Sequence, residues 1–254
     1  MTDAKVTTRI ATSDATSITV RGKDLVNELI GRYSFTEIIY FLITDTFPSA
    51  GQTRVLDACL VTLAEHGFTP SALVARLIHD SVPDDAQVAM SAGLLAIGSV
   101  FVGTMEGAGR LLRAGVAAGG DPDAWCERVV AEHRAANRAI PGFGHPFHKP
   151  DDPRPPRLFL IAQEAGMKGD YIALLKRLNA AIDRAFGRHL TINATGAIGA
   201  CLLEIGLPPE VMRGIAVVSR AGGLIGHVLE EQRNHVARRM WALVDDAVPY
   251  EDPT

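Results

Sequence analysis

The sequence predicts an all-α fold. Several stretches begin with a capping residue that is followed by proline, or by glutamate three residues later, and continue with apolar residues at helical spacing. Strands and helices do not alternate along the 254 residues, which argues against an α/β fold. We expect residues 1–254 to form one unit, in which a loop at 141–156 separates a larger helical part from a smaller one at about 146–210.

The first predicted elements are a short strand and two helices. Residues 18–20 (ITV) predict the strand. Ser34 and Glu37 have the spacing of a capping box and are followed by apolar residues at helical spacing. Thr69 and Pro70 begin another helix, since a capping residue followed by proline is a helix-start signal. The loop before Thr69 therefore connects two helices.

The middle of the chain is rich in alanine and glycine. Small residues allow helices to pack closely, so residues 84–116 predict a buried central hairpin. Asp121 and Pro122 repeat the helix-start signal. The remaining helices are predicted at 157–165, at 170–187 with Asp170 as the N-cap, at 192–205 and at 211–232.

Composition and charge exclude several classes of function. The net charge of −4 argues against nucleic-acid binding, which needs a basic face. The three cysteines are far apart and form no CxxC pair, and no HExxH, P-loop or GxGxxG segment occurs, so we expect no disulfide, no metal and no ATP. No signal-peptide pattern begins the chain, and the apolar stretch 92–105 is too short to cross a bilayer, so we expect a cytoplasmic protein without membrane contact.

A loop at 141–154, with the sequence PGFGHPFHKPDDPR, gathers positive charge. It carries His145, His148, Lys149 and Arg154 on a stretch that glycine and proline keep out of regular helix. Glycine allows close approach to a ligand, and cations on a rigid loop suit a small polyanion. The alternative interpretation is a surface turn with scattered charges.

Three further cationic positions have both a structural and a functional interpretation. His66 near a helix end either satisfies backbone carbonyls or binds a ligand. Arg220, placed among small and apolar residues, needs an anionic partner. That partner is either a glutamate of the chain or a substrate carboxylate; the glutamates considered are Glu106, Glu230 and Glu231. Arg238 and Arg239 have the pattern of a solvated basic face.

The motifs together resemble the citrate synthase superfamily, and within it the short citryl-CoA lyases and the C-terminal lyase part of ATP citrate lyase. The loop at 141–154 is the most specific part of the resemblance, which covers roughly residues 21–250. The other motifs that carry it, in the expected order, are 22–25 (GKDL), 34–37 (SFTE), 65–67 (EHG), 91–95 (SAGLL) and 219–227 (SRAGGLIGH). The resemblance implies a citrate-synthase-like helical fold in its short form.

The resemblance also implies roles for individual residues. His66 would hydrogen-bond a substrate carboxylate, and His145 would donate to the carbonyl or alkoxide oxygen of the oxaloacetate portion. Arg154 and Arg220 would bind carboxylates, and Arg238 would reach a neighbouring subunit's site across a dimer interface.

Coenzyme A, as the thioester substrate or product, would lie against the glycine-rich loop. The loop residues expected to contact it are Gly142, Phe143, Gly144 and Lys149. The partners implied are a small CoA thioester, a di- or tricarboxylate and a second copy of the chain in a homodimer or higher homo-oligomer.

Two departures from the family pattern bear on catalysis. Phe101 stands where the synthases have a catalytic histidine, which favours the lyase branch. Thr195, in the segment 193–196 (NATG), stands where the family has its general-base aspartate. A threonine hydroxyl exchanges no proton near neutral pH, so we expect Thr195 to contact substrate without replacing that base. Glu106 is a candidate catalytic carboxylate, and its alternative role is that of a structural partner for an arginine.

The leading hypothesis is therefore a carbon–carbon lyase that cleaves citryl-CoA, a carboxylated 3-hydroxyacyl-CoA, to acetyl-CoA and oxaloacetate. One alternative is a related lyase or synthase with a different acyl-CoA or oxo acid. The other is a CoA-thioester-binding protein without turnover, because the general-base aspartate is missing.

Overall fold

The structure is a computed structural model that describes residues 6–100 and 102–253. The chain begins with a small antiparallel sheet of order β1-β2-β3, formed by β1 (Ala11–Ser13), β2 (Ile18–Val20) and β3 (Lys23–Asp24). Arg21 and Gly22 have φ angles of 49° and 76°, as a two-residue hairpin turn requires. The predicted strand at 18–20 is confirmed, whereas its two partners are too short for a recognisable alternation.

The regular elements that follow the sheet are all helical, and the all-α prediction is confirmed. A π-helical turn at Leu25–Leu29 and a 3-10 turn at Pro209–Val211 accompany the α-helices. The α-helices are α1 (Phe35–Thr44), α2 (Ala50–Ala64), α3 (Pro70–Ser81), α4 (Ala86–Leu95), α5 (Gly103–Ala118), α6 (Pro122–Ala135), α7 (Arg154–Glu164), α8 (Asp170–Phe186), α9 (Ala194–Glu204), α10 (Met212–Arg233) and α11 (Ala237–Ala247). None of the helices in 6–100 and 102–253 combines the length and apolarity needed to cross a membrane.

The predicted helix starts at α1, α3 and α6 are confirmed. Ser34 and Glu37 form the reciprocal capping box of α1, and the Asp121 side chain accepts a hydrogen bond from the backbone N–H of Asp123 at the start of α6. Thr69 precedes Pro70 at the start of α3, although its side chain does not cap the helix. Local capping patterns therefore identified these three helices correctly.

The start of α8 differs from the prediction. Its N-cap is Gly169, with φ +85°, and Asp170 is the first residue of the helix. The Glu204 carboxylate, at the end of α9, accepts the backbone N–H groups of Gly169, Tyr171 and Ile172. The free N–H groups of α8 are thus satisfied by a side chain more than thirty residues away, which no local pattern reveals.

The predicted central hairpin at 84–116 is wrong. Helix α4 packs against α3 and α10, whereas α5 packs against α9 and α8. A Cβ added at Gly93 of α4 would lie 2.7 Å from the Ser71 carbonyl oxygen. One added at Gly199 of α9 would lie 3.0 Å from the Met105 carbonyl oxygen of α5. The small residues do allow close packing, but they pack two helices against different partners instead of against each other.

Helix α9 lies at the centre of the main apolar core. Its residue Ala194 and residues 196–203 are all buried, as expected for a helix that is apolar on every side. It packs against α2, α5, α7 and α8. The segment at 146–210 contributes side chains to the same core cluster as the rest of the chain. This packing fixes the N-terminus of α9, which faces the loop at 141–152.

Candidate active site

The loop at 141–152 is held against the segment that leads into α9. The Gly142 carbonyl oxygen accepts the Asn193 N–H (3.0 Å), and the Gly144 carbonyl oxygen accepts the Asn193 side-chain amide (2.9 Å). The Gly144 N–H donates to the Thr191 carbonyl oxygen (2.8 Å), and a β-bridge joins Phe143 to Ile192. The loop thus takes its position from the buried central helix.

Two glycines allow the loop to cross the first turn of α9. Gly142 has φ +94°, a conformation that favours glycine, and a Cβ there would lie 2.9 Å from the Gly196 Cα. A Cβ on Gly196 would lie 2.5 Å from the Gly142 carbonyl oxygen. Neither position can accept a side chain without moving the loop.

The first testable prediction concerns this crossing. Replacement of Gly196 by alanine is expected to lower the free energy of unfolding by about 1–3 kcal/mol, because the added methyl overpacks the backbone of the loop. Urea unfolding measures the change. Gly214→Ala is the matched control, since Gly214 lies in α10 with open space around its Cα and alanine favours helix. An unchanged or higher stability of Gly196→Ala would contradict the prediction.

Three histidines meet beside the loop. The ring nitrogens of His66, His145 and His148 lie within 4.8 Å of one another. The Nε2 atoms of His66 and His148 are 3.3 Å apart, and the ring centroids of His145 and His148 are 4.3 Å apart. His66 comes from the connection between α2 and α3, whereas the other two belong to the loop. Sequence reasoning counted His148 among the cations of the loop but assigned it no individual role.

The hydrogen bonds of His145 define its tautomer. Its Nδ1 accepts the backbone N–H groups of Phe147 (3.1 Å) and His148 (3.0 Å), so the proton of the neutral ring resides on Nε2. Burial lowers the pKa of His145 below its usual value, and the charges of His148 and Arg154 lower it further. His145 is therefore a neutral ring whose Nε2–H can donate to an oxygen atom.

A buried carboxylate orients Arg154 beside this ring. Asp152, whose side chain is fully buried, accepts hydrogen bonds from the Nε (2.9 Å) and Nη2 (2.7 Å) of Arg154 and from the N–H of Ala194 (3.1 Å). Burial alone would raise the pKa of Asp152, but the Arg154 hydrogen bonds and charge outweigh it and lower the pKa. The Arg154 Nη2 then lies 3.4 Å from the His145 Nε2. A guanidinium and an imidazole donor consequently face the same space.

Arg220 has no carboxylate partner among residues 6–100 and 102–253. Its nearest polar contact is a marginal one of 3.5 Å with the Thr69 Oγ1. Burial lowers the pKa of this half-buried guanidinium, with Glu65 opposing the effect. The three glutamates considered as its structural partners are paired with other arginines (Glu106, Glu230 and Glu231). The substrate-carboxylate interpretation of Arg220 is therefore the one that the contacts favour.

Glu106 is held by arginines on α5 and α10. It forms ion pairs with Arg110 (2.8 Å) and Arg213. The hydrogen bond from Arg110 lowers the pKa of Glu106, with a smaller contribution from Arg213. These contacts favour the structural alternative for Glu106 over the catalytic role.

Thr195, in the first turn of α9, forms a hydroxyl pair with Thr104 of α5. The Thr195 Oγ1 donates to the Asn193 Oδ1 (2.7 Å) and lies 2.9 Å from the Thr104 Oγ1. Because Thr195 already donates to Asn193, Thr104 is the donor between the two hydroxyls. The substitution noted at Phe101 lies outside the described residues. The place of the family's general base is thus occupied by neutral groups.

Two other predicted site residues, Arg238 and Lys149, are exposed. Arg238, on α11, is 77% exposed and its Nε lies 3.2 Å from the Asp80 carboxylate. Its role across a dimer interface stays a prediction. Lys149 is exposed on the loop, where it is accessible to a phosphate group of a ligand.

The charges around the histidines suit an anion better than a metal ion. Three imidazoles at this separation have the donor atoms of a metal site. However, the His145 Nδ1 already accepts two backbone N–H groups, and the Arg154 guanidinium faces its Nε2. Burial and the charges of Arg154 and Arg220 lower the pKa of His66, so a further positive charge there is unfavourable. The charges around the cluster therefore favour an anionic ligand.

A network of ion pairs and hydrogen bonds, which includes the buried pair of Arg76 and Glu231, supports the backbone at His66. The Glu65 Oε1 accepts the backbone N–H groups of His66 (2.8 Å) and Gly67 (2.6 Å), and its Oε2 lies 2.9 Å from the His227 Nε2. Fully buried Arg76 donates to the His227 Nδ1 (2.9 Å) and to the Glu231 carboxylate (2.8 Å). The loop that carries His66 is therefore fixed to α3 and α10.

Phe143 also lines a cavity of about 290 Å³. Its lining combines basic side chains with apolar ones. The basic residues are His133, Arg134, Arg138 and Arg188, and the apolar ones include Ile140, Phe143, Ile182, Phe186 and Leu190. This lining suits a ligand with an aromatic ring and phosphate groups.

Comparisons with known proteins identify the family and the fold. The family model of the citrate synthase C-terminal domain matches residues 48–240. The structure of citryl-CoA lyase from Hydrogenobacter thermophilus superposes with a TM-score of 0.83 at 29% identity, covering 98% of this chain and 95% of that chain. The structure of ATP citrate lyase from Methanothrix soehngenii, in complex with citrate and coenzyme A, superposes with a TM-score of 0.80 at 21% identity. The match covers 100% of this chain and 43% of that chain and shows a common fold.

A curated relative is similar over a shorter part of its length. A probable ATP-citrate synthase subunit 1 from Schizosaccharomyces pombe is 26% identical over 197 residues, which is 71% of this chain and 31% of the relative. The chain thus spans less than a third of the length of that relative. Because the family model covers more than half of the chain, and the short citryl-CoA lyase fold covers nearly all of it, this protein belongs to the citrate synthase family.

Proposed function

We propose that this protein is a citryl-CoA lyase, which cleaves citryl-CoA to acetyl-CoA and oxaloacetate. The observation that carries the proposal is the neutral His145, whose Nε2–H faces the same space as the Arg154 guanidinium. A donor and a carboxylate-binding cation at this separation fit a substrate with a hydroxyl next to a carboxylate. The likeness in fold to the citryl-CoA lyase of Hydrogenobacter thermophilus supports the lyase over the synthase.

Two arginines and a histidine bind the carboxylates of the substrate in this proposal. Arg154 is oriented by Asp152 and leaves its Nη2 at the cleft, and Arg220 is half-buried with no acid of the described chain to neutralise it. A guanidinium binds a carboxylate through two parallel hydrogen bonds, which fixes the acid in one orientation. His66 adds a third donor from the opposite side of the cleft.

His145 stabilises the oxygen on which negative charge develops. Cleavage of the bond between C2 and C3 of the acyl chain converts the C3 hydroxyl into the ketone of oxaloacetate, through an alkoxide-like oxygen. A preorganised Nε2–H that is held by two backbone N–H groups can stabilise this oxygen without reorganisation. The same donor serves the reverse condensation.

Coenzyme A extends from the histidines across the loop. Its thioester lies near Gly142 and Gly144, where the absence of side chains allows close approach. Its nucleotide enters the cavity that Phe143 lines. There the adenine stacks on aromatic rings, and the phosphates pair with Arg134, Arg138 and Arg188. Lys149 contributes a further positive charge at the rim.

Two alternatives remain specific enough to test. The hydroxyl pair of Thr195 and Thr104 favours a related lyase or synthase with another acyl-CoA or oxo acid, because the acyl group would meet neutral hydroxyls. The same pair also agrees with a binding protein without turnover. A homodimer, with Arg238 contributed across its interface, completes the proposal.

The proposal is tested by mixing the purified protein with citryl-CoA and coupling oxaloacetate release to malate dehydrogenase. We expect turnover that is lost in Arg220→Met and retained in Arg113→Met, because Arg113 pairs with Glu210 at the surface, away from the histidines. Tight binding of citryl-CoA without oxaloacetate release would support the binding protein. Release only from a different 3-hydroxyacyl-CoA would support the related lyase.

The second prediction is that citrate binding takes up protons below pH 7. The pKa values of His66 and His145 are lowered in the free protein by burial and by neighbouring cations, so both rings are neutral at pH 7. A bound carboxylate raises the pKa of His66, and this ring then gains a proton as the pH falls towards 6. His145 does not contribute, because its Nδ1 accepts two backbone N–H groups and its Nε2 already carries a proton. Titration calorimetry at pH 6 in buffers with different ionisation enthalpies measures the uptake. A heat that is independent of the buffer, or proton release, would contradict the prediction.

A further inference from the structure

The cleft needs a proton-transfer group that its carboxylates do not supply. Asp152 is bound to Arg154 and to the start of α9, and Glu65 is bound to two backbone N–H groups. Glu106 is paired with arginines, and Thr195 donates to Asn193. Each of these oxygen groups is already occupied by a structural interaction.

The histidines differ in what their nitrogens can do. The Nδ1 of His145 accepts two backbone donors and its Nε2 carries the proton, so this ring acts as a hydrogen-bond donor. The Glu65 carboxylate accepts the backbone N–H of His66, and the charges of Arg154 and Arg220 lower the pKa of the His66 ring. His148 is half-buried, and its Nε2 lies 3.3 Å from the Nε2 of His66. In the described structure, the Nε2 of His148 faces only the His66 imidazole. This distinguishes His148 from the other ionisable groups of the cleft.

We infer that His148 is the acid–base residue of this site and transfers the proton that the family resemblance assigns to an aspartate at position 195. The inference rests on the proposed lyase function. It deepens that function by replacing a carboxylate base with an imidazole that reaches the reacting atoms from the loop instead of from α9. An imidazole exchanges protons near neutral pH, as this role requires.

One imidazole can complete the proton transfer of the lyase reaction. The C3 hydroxyl gives its proton to the free nitrogen of His148, while the Nε2–H of His145 stabilises the oxygen. The C2–C3 bond then breaks, its electron pair enters the thioester enolate, and the C3–O bond becomes the carbonyl of oxaloacetate. The His148 imidazolium returns the same proton to C2 and gives acetyl-CoA. The substrate becomes two products with no net gain or loss of a proton and no further reactant.

The groups around His148 agree with this cycle. Its ring lies beside that of His145, tilted by 35°, and its Nε2 faces His66. The positive form of His148 lowers the pKa of Asp152. A transient imidazolium therefore has the buried Asp152 carboxylate nearby to offset the charge of Arg154. The backbone N–H of His148, which holds His145, is independent of its side chain.

The third prediction tests the inference with His148→Gln. We expect the kcat for citryl-CoA to fall by about 10²- to 10⁴-fold, the usual effect of losing a positioned acid–base group, with KM changed by less than about threefold. Because the backbone N–H that orients His145 remains, citrate binding by calorimetry should be unchanged. His235→Gln is the matched control, since His235 is exposed on the segment between α10 and α11.

Adding Thr195→Asp to His148→Gln distinguishes proton transfer from a structural role. The new carboxylate would accept the hydroxyl hydrogen of Thr104 and stand where the family base stands, so we expect it to recover at least about tenfold of the lost kcat. Turnover of His148→Gln within about threefold of the wild type would overturn the inference and leave the lyase function intact. Absence of cleavage by the wild-type protein would overturn the lyase function, and the inference with it.

Discussion

Replacement of Arg76 by methionine is expected to lower the free energy of unfolding by about 3–5 kcal/mol, the typical cost of breaking a buried ion pair. The Arg76 side chain is 1% exposed, and so is that of its partner Glu231. Methionine fills part of the space but leaves the Glu231 carboxylate buried without a cation. Urea unfolding followed by circular dichroism measures this fourth prediction.

Two variants make the Arg76 experiment decisive. Arg177→Met removes an exposed pair with Asp123 and should cost no more than about 1 kcal/mol. Arg76→Met combined with Glu231→Leu removes both charges and should be more stable than Arg76→Met alone. A loss for Arg76→Met as small as that for Arg177→Met would contradict the structural role of the network. Since Glu65 links this network to His66, the single variant should also weaken citrate binding.

Replacement of His145 by alanine is expected to lower kcat/KM for citryl-CoA by about 10²- to 10³-fold. This fifth prediction follows from the loss of the Nε2–H that stabilises the developing oxyanion, since removal of one such donor usually costs about this factor. The coupled oxaloacetate assay measures it. His235→Ala provides the matched control, because it removes a histidine from an exposed segment.

The His145 result also separates electrostatic stabilisation from binding. If His145 acts on the developing charge, kcat should fall more than KM rises. A change confined to KM would mean that His145 only binds the ground state. A rate within about threefold of the wild type would contradict its assignment.

Local sequence patterns predicted much of the fold because helix starts depend on neighbouring residues. Ser34 and Glu37 cap α1 reciprocally, and Asp121 caps α6 by accepting the Asp123 N–H, so both contacts lie within three residues. Glu204, by contrast, caps α8 from the end of another helix. The alanine- and glycine-rich segment at 84–116 indicated close packing correctly but not the partner helices, because small residues do not specify which surface they contact.

The site was predictable where a motif carried it and not where distant residues met. The loop motif and the family resemblance made His145 and Arg154 candidates, and the structure places the Nη2 of Arg154 3.4 Å from the Nε2 of His145. His148 lies in the same motif, but its proximity to His66 depends on a contact across 82 residues. The pairing of Arg76 with Glu231 spans 155 residues and leaves no local signal.

The measurement that tests the central claim most directly is the reaction of the protein with citryl-CoA in D₂O, with the acyl-CoA product analysed by mass spectrometry. The C3 hydroxyl exchanges its proton with the solvent, so the lyase cycle should deliver deuterium to C2. We predict acetyl-CoA that carries one deuterium in its methyl group, together with an equal amount of oxaloacetate. Unlabelled citrate and free coenzyme A, the products of thioester hydrolysis, would contradict carbon–carbon cleavage at this site.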